Sequence, residues 1–191
     1  MRLLLTSAGI TNKSLVNALK NLVKGEIKIA FIPTAANVES GEKDWLIKNY
    51  NQCMELGTID IVDISALDKK DWLSRLKKSN VIVVGGGVTS HLMHWVNKSG
   101  LAEVLPNLLK DRIYIGISAG SMILSKIDSA SGSKLVYGEP NAIDIKGLNY
   151  IDFNILPHLN SPYFPNLRDE NIKKIAKSIG REVYALDDQS G

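Results

Sequence analysis

Residues 81–84, Val-Ile-Val-Val, form an unbroken apolar run that passes straight into Gly85, Gly86 and Gly87. A strand that is apolar on both faces needs cover on both, which is the mark of a parallel sheet. Short apolar runs recur at 3–6, at 27–32 before Pro33, at 59–64, at 113–115 and at 151–156. The stretches between them have helical spacing. In 12–23 the apolar positions are Leu15, Val16, Leu19, Leu22 and Val23. In 40–56 Trp45, Leu46, Tyr50, Cys53 and Met54 are expected to face the core, with Ser40 as N-cap. Residues 68–78, 90–98 and 101–110 complete the helical set, and 129–148 read as loop and short β elements. This strand-helix-strand order predicts an α/β fold: a doubly wound, mostly parallel sheet with helices on both faces, of the flavodoxin-like kind. A chain of 191 residues is expected to make one domain, 1–191.

Composition narrows the function classes. Hydrophobic residues make up 45% and charged residues 23%, the mix of a soluble globular protein. A scattered net charge of +3 does not point to nucleic acid. Cys53 is the single cysteine, so an intramolecular disulfide is excluded and a reducing cytosol fits. Its place among Tyr50 and Met54 suggests a buried structural thiol. Leu3-Leu4-Leu5 is too short for a signal segment or a membrane span, so no membrane partner is expected.

In doubly wound sheets, functional groups gather at the C-terminal strand ends. Gly116-Ile117-Ser118-Ala119-Gly120 follows the apolar run Ile113-Tyr114-Ile115. A G-x-S-x-G stretch between strand and helix is the sequence form of a nucleophile elbow, although it also reads as a plain glycine-rich turn. A serine nucleophile needs a base. The chain has three histidines. His91 and His94 share a helix face and have no third metal ligand in view, so packing roles are expected. His158 ends the run 151–156 behind Pro157, at the rim where Ser118 should lie, and is the candidate base. The orienting acid is sought at Asp187 and Asp188, after the short strand 182–186, or at Glu139. The strand-end position favours that pair, and Asp188 is the choice. Gly85 to Gly87 reads as a phosphate-binding turn, as simple turn geometry, or as an oxyanion hole acting with the Ala119 amide. It lacks the G-x-x-G spacing and the Lys-Ser/Thr that nucleotide binding requires.

These residues together resemble the family of peptidase E (α-aspartyl dipeptidase) and cyanophycinase. Those are serine hydrolases on a fold like that of class I glutamine amidotransferases. The likeness spans almost the whole chain. Its markers are Phe31-Ile32-Pro33-Thr34-Ala35, Val84-Gly85-Gly86-Gly87, Gly116-Ile117-Ser118-Ala119-Gly120, Leu156-Pro157-His158 and Ala185-Leu186-Asp187-Asp188. It implies Ser118 as nucleophile, His158 as base, and the amides of Gly86 or Gly87 with Ala119 around the oxyanion. It also implies Arg168 as the group that binds a substrate carboxylate; by itself Arg168 reads equally as an exposed charge opening the helix 168–179. The chain departs from the family pattern at Val88, where a polar residue is usual. It departs again at Tyr137-Gly138-Glu139-Pro140, where enteric dipeptidases place their acid; cyanophycinase places it after the histidine, near Asp188. Relatives also run past the position of Gly191 with another strand, which leaves the Asp188 loop with less expected anchorage.

The resulting expectation is a cytoplasmic serine peptidase acting on small peptides, in particular dipeptides with N-terminal Asp. It would be a monomer or homodimer, with no nucleic acid partner and no metal or organic cofactor. The alternatives are an amide hydrolase for another substrate, such as β-aspartyl peptides, and a non-catalytic small-molecule-binding protein on the same fold. Glutamine amidotransfer is disfavoured, because that chemistry uses cysteine at the elbow.

Overall fold

The computed structural model describes residues 1–126, 137 and 146–191. In chain order it has β1 (Arg2–Thr6), α1 (Lys13–Leu22), β2 (Lys28–Ile32), a 3-10 turn (Thr34–Ala36), α2 (Asp44–Met54), β3 (Thr58–Ile61), α3 (Lys69–Lys78) and β4 (Val81–Val84). There follow α4 (Thr89–Lys98), α5 (Leu101–Leu108), β5 (Ile113–Ile117), α6 (Ala119–Met122), β6 (Asn154–Leu156), α7 (Asp169–Ile179) and β7 (Val183–Ala185). Five parallel strands form the main sheet in the order β1-β5-β4-β2-β3. Strands β6 and β7 form a separate parallel pair.

The alternation of side chains along β4 and β5 makes two cores. Val81, Val83, Ile113, Ile115 and Ile117 pack with Leu15 and Leu19 of α1 and Leu46 and Cys53 of α2. Ile82, Val84 and Tyr114 point the other way, onto Trp72 and Leu76 of α3, Leu92 and Val96 of α4 and Leu101 and Leu105 of α5. Helices therefore cover both faces, as fully apolar strands require. The chain leaves β1 toward the α1 face, whereas Ala119 and Ile123 after β5 join the opposite core. β1 and β5 are neighbours, so the residues that follow them, Ser7 and Ser118, leave the sheet side by side at its C-terminal rim.

Local chemistry explains where elements begin and end. Asn12 caps α1, its side-chain oxygen accepting the amides of Ser14 and Leu15. The second helix does not begin at Ser40. Gly41 takes φ +84, a left-handed turn that keeps Ser40 outside, and Lys43 holds the cap position without a side-chain bond. Met54 is 53% exposed rather than in the core. Asn49 is buried instead, and its Nδ2 donates to the carbonyl of Ala8 at 3.0 Å. The run 59–64 leaves the ladder after Ile61, because Asp63 turns to accept hydrogen bonds from Thr34, Asn37 and Ser65. The run 151–156 shortens to β6 because its partner β7 has only three residues. Most of 129–148, Glu139 included, lies outside the described residues. Among the described residues no helix is long and apolar enough to cross a membrane.

Candidate active site

Ser118 stands at the end of β5 with φ 49 and ψ −111, a sparsely populated backbone conformation for a residue with a side chain. Packing enforces it. A Cβ on Gly120 would come within 2.0 Å of the Val84 carbonyl oxygen, and one on Gly116 within 2.7 Å of Ser121 Cα. Only glycine at both places lets α6 fold back tightly on β4 and β5. Buried polar groups then fix the turn. The Tyr114 hydroxyl donates to the Gly120 carbonyl at 2.6 Å, and the Thr6 hydroxyl donates to the Gly116 carbonyl at 2.9 Å. Ser121 Oγ bridges the backbone of Thr6, donating to its carbonyl at 2.8 Å and accepting its amide at 3.0 Å. The Ser118 amide donates to that same Thr6 carbonyl at 3.1 Å.

The β6-β7 pair delivers His158 and Asp188. Leu156 is paired with Ala185, so the residues just beyond them emerge side by side. Leu186 N–H donates to the Leu156 carbonyl, and Leu159 N–H to the Leu186 carbonyl, each at 2.9 Å. His158 sits between these bonds, and Asp188 follows two residues beyond Leu186. Ser118 Oγ lies 2.9 Å from His158 Nε2, and His158 Nδ1 lies 2.6 Å from Asp188 Oδ1. An ionised carboxylate only accepts, so Nδ1 carries the proton and Nε2 faces the Ser118 hydroxyl as an acceptor. Burial pushes the His158 pKa below its ordinary value, although the hydrogen bond and charge of Asp188 pull the other way. Burial also opposes the charge on Asp188, but hydrogen bonding, led by His158, outweighs it and holds the carboxyl below its ordinary range. The arrangement can move a proton from a hydroxyl to a neutral imidazole and stabilise the imidazolium that results.

Of the two carboxylates after β7, only Asp188 meets the imidazole. Asp187 Oδ1 instead accepts the Gln189 amide and the Ser190 hydroxyl, closing the terminal turn. That turn is better anchored than expected. Ser7 N–H donates to the Ser190 carbonyl at 3.1 Å, and Asn12 Nδ2 donates to the Gln189 carbonyl at 2.6 Å.

The glycine turn after β4 lies against the serine. A Cβ on Gly86 would sit 3.1 Å from Ser118 Cβ, and Gly87 takes φ +129 close to the Ala35 carbonyl. Among the described residues, the amides of Gly86, Gly87 and Ala119 donate to no protein group. Arg168 caps α7, and its guanidinium points into its own loop. Nη1 donates to the carbonyls of Ser161, Phe164 and Leu167 at 3.3, 3.1 and 2.9 Å, and Nη2 to that of Ser161 at 3.3 Å. The loop so held presents Phe164, whose ring stacks on His158. His91 and His94 pack edge-on against Trp95. Among the described residues no group of three or more His, Cys, Asp or Glu side chains is placed to hold a metal ion.

Ser7, Phe164 and the polar groups under the elbow are not foreseen from the sequence pattern. Ser7 carried a usable signal, since it directly follows a buried strand, whose C-terminal end is where functional groups gather. Phe164 carried none, being one aromatic residue in an irregular loop.

The model of peptidase family S51 matches residues 3–191. An uncharacterized peptidase of Pasteurella multocida is 32% identical over 139 residues, covering 71% of this chain and 67% of that protein. Peptidase E of Nostoc sp. is 32% identical over 154 residues, covering 80% of this chain and 61% of the longer relative. Among solved structures, a protein from Listeria monocytogenes EGD-e described as a candidate peptidase E superposes with a TM-score of 0.76 at 24% identity, covering 97% of this chain and 90% of that one. A peptidase from an acI-B1 Actinobacterium gives 0.70 at 19% identity, covering 97% and 79%. At those identities the two structures establish the fold.

Proposed function

The chain belongs to peptidase family S51 and is a serine peptidase, and from that premise we propose that it cleaves dipeptides with N-terminal Asp through Ser118, His158 and Asp188. The observation that carries this reading is the continuous Ser118–His158–Asp188 relay, with steps of 2.9 and 2.6 Å. His158 Nε2 takes the Ser118 proton as Oγ attacks the peptide carbonyl. The amides of Gly86 or Gly87 and Ala119 receive the oxyanion. The imidazolium gives its proton to the leaving amine, and water, activated by the same imidazole, hydrolyses the acyl-enzyme. The working partner is a small peptide, and the protein acts in the cytoplasm as a monomer or homodimer. Cys53 suits that compartment as a single, unpaired cysteine.

Selectivity for Asp is assigned to Arg168. Its Nε bonds no described residue, so one edge of the guanidinium remains for a side-chain carboxylate. The four hydrogen bonds from Arg168 to its own loop favour a second reading, in which Arg168 serves the loop and the substrate is another amide, such as a β-aspartyl peptide. A panel of Asp-X, Glu-X, β-Asp and neutral dipeptides, run on wild type and Arg168→Ala, separates the two. A carboxylate clamp predicts a KM rise for Asp-X alone. A loop role predicts equal losses on every peptide.

A further inference from the structure

We propose that Ser7 is the positioning residue of the base–acid pair, tying the two-stranded β6-β7 sheet to the main sheet at the reacting centre. The proposal rests on the Ser118–His158–Asp188 reading above. Ser7 directly follows β1 and is fully buried. Its Oγ accepts the backbone N–H of His158 at 2.8 Å and donates to Asp188 Oδ1 at 3.1 Å. The same oxygen lies 3.5 Å from His158 Nδ1. One hydroxyl thus uses its donor on the acid and an acceptor lone pair on the base.

Both bonds meet a geometric need. His158 sits at φ +69, a left-handed conformation that costs a residue with a side chain about 1 kcal/mol or more. Its amide has no ladder partner there, and Ser7 Oγ supplies one. Asp188 Oδ1 is also the oxygen that accepts His158 Nδ1–H, so the atom that orients the imidazole is itself held by the Ser7 hydroxyl. Nucleophile and base stand on different sheets. The residue before Ser7 completes the tie, because the Thr6 carbonyl accepts the Ser118 amide at 3.1 Å. Two consecutive residues at the end of one strand thereby set the Ser118–His158 distance and the His158–Asp188 distance together. Misplacement of such groups by about 1 Å can cost on the order of 100-fold in rate.

The test is the rate at which a fluorophosphonate labels Ser118, which does not depend on knowing the peptide. In Ser7→Ala the rate is expected to fall about 10- to 100-fold. Ser7→Cys, which keeps nearly the same volume but offers a weak donor, should show a similar loss and serves if the alanine variant does not fold. Ser7→Thr, which restores the hydroxyl, should recover most of the rate. In an Asp188→Ala background, Ser7→Ala should cost less than it does in wild type, because the share that acts through the acid is already gone. A wild-type labelling rate in Ser7→Ala or Ser7→Cys overturns the proposal, as does a loss of the same factor in both backgrounds. Turnover surviving in Ser118→Ala would sink the underlying reading instead, whatever Ser7 does.

Discussion

The ring of Phe164 lies almost flat on the imidazole of His158, with centroids 4.5 Å apart and planes 19° apart. Tyr137 packs edge-to-face with Phe164, with centroids 5.7 Å apart, so His158 has an aromatic backing on one side. This stacking adds to the burial that pushes the His158 pKa below its ordinary value despite the pull of Asp188.

A pH dependence follows. The base must be neutral to take a proton, so the acid limb of kcat/KM should lie below the usual histidine value of about 6.5. Phe164→Ala admits water, favours the imidazolium and should move that limb to higher pH. The same shift affects stability. The unfolded chain protonates His158 more readily than the folded one, so this contribution is complete above about pH 6.5 and is lost as pH falls toward the folded value. Kinetic profiles and urea titrations between pH 5 and 8 check both.

Asp187 and Asp188 should separate cleanly. Asp188→Asn removes the charge that orients the imidazole, and kcat should drop about 10³- to 10⁴-fold with little change in KM. Asp187 serves only the terminal turn, through Gln189 and Ser190. Asp187→Asn should therefore keep kcat within about 3-fold of wild type, since surface changes of this kind cost roughly 0.5 kcal/mol. Steady-state kinetics on the two variants decides.

Gly120→Ala should damage fold and activity together. The new methyl would overlap the Val84 carbonyl, and relief requires α6 to move away from β4. Overpacking of this kind costs about 1–3 kcal/mol. The expected result is a lowered Tm with a loss of kcat larger than the unfolded fraction explains, measured by thermal melts and active-site titration on the same sample.

The legible parts of the molecule were those written as local pattern. Val81 to Val84 had to be covered on both faces, and Ser118 between Gly116 and Gly120 had to make a tight turn. His158 and Asp188 stand out in the sequence because each comes two residues after a short strand-like run, 151–156 and 182–186. What stayed hidden depends on residues far apart in sequence. Ser7 meets His158 only because β1 lies beside β5 and the β6-β7 pair docks near that edge. The start of α2 departs from the capping pattern because the turn at Gly41, not a capping side chain, sets it. Met54 was placed inside by spacing alone, while Asn49 took the buried position through its bond to Ala8.

The central claim is that the Ser118 hydroxyl is the nucleophile and is activated by His158. Fluorophosphonate labelling followed by peptide mass mapping tests it most directly. The expected adduct lies on Ser118, is absent in Ser118→Ala, and forms at least about 100-fold more slowly in His158→Ala. An adduct on another residue, or wild-type peptide hydrolysis by Ser118→Ala, would contradict the account.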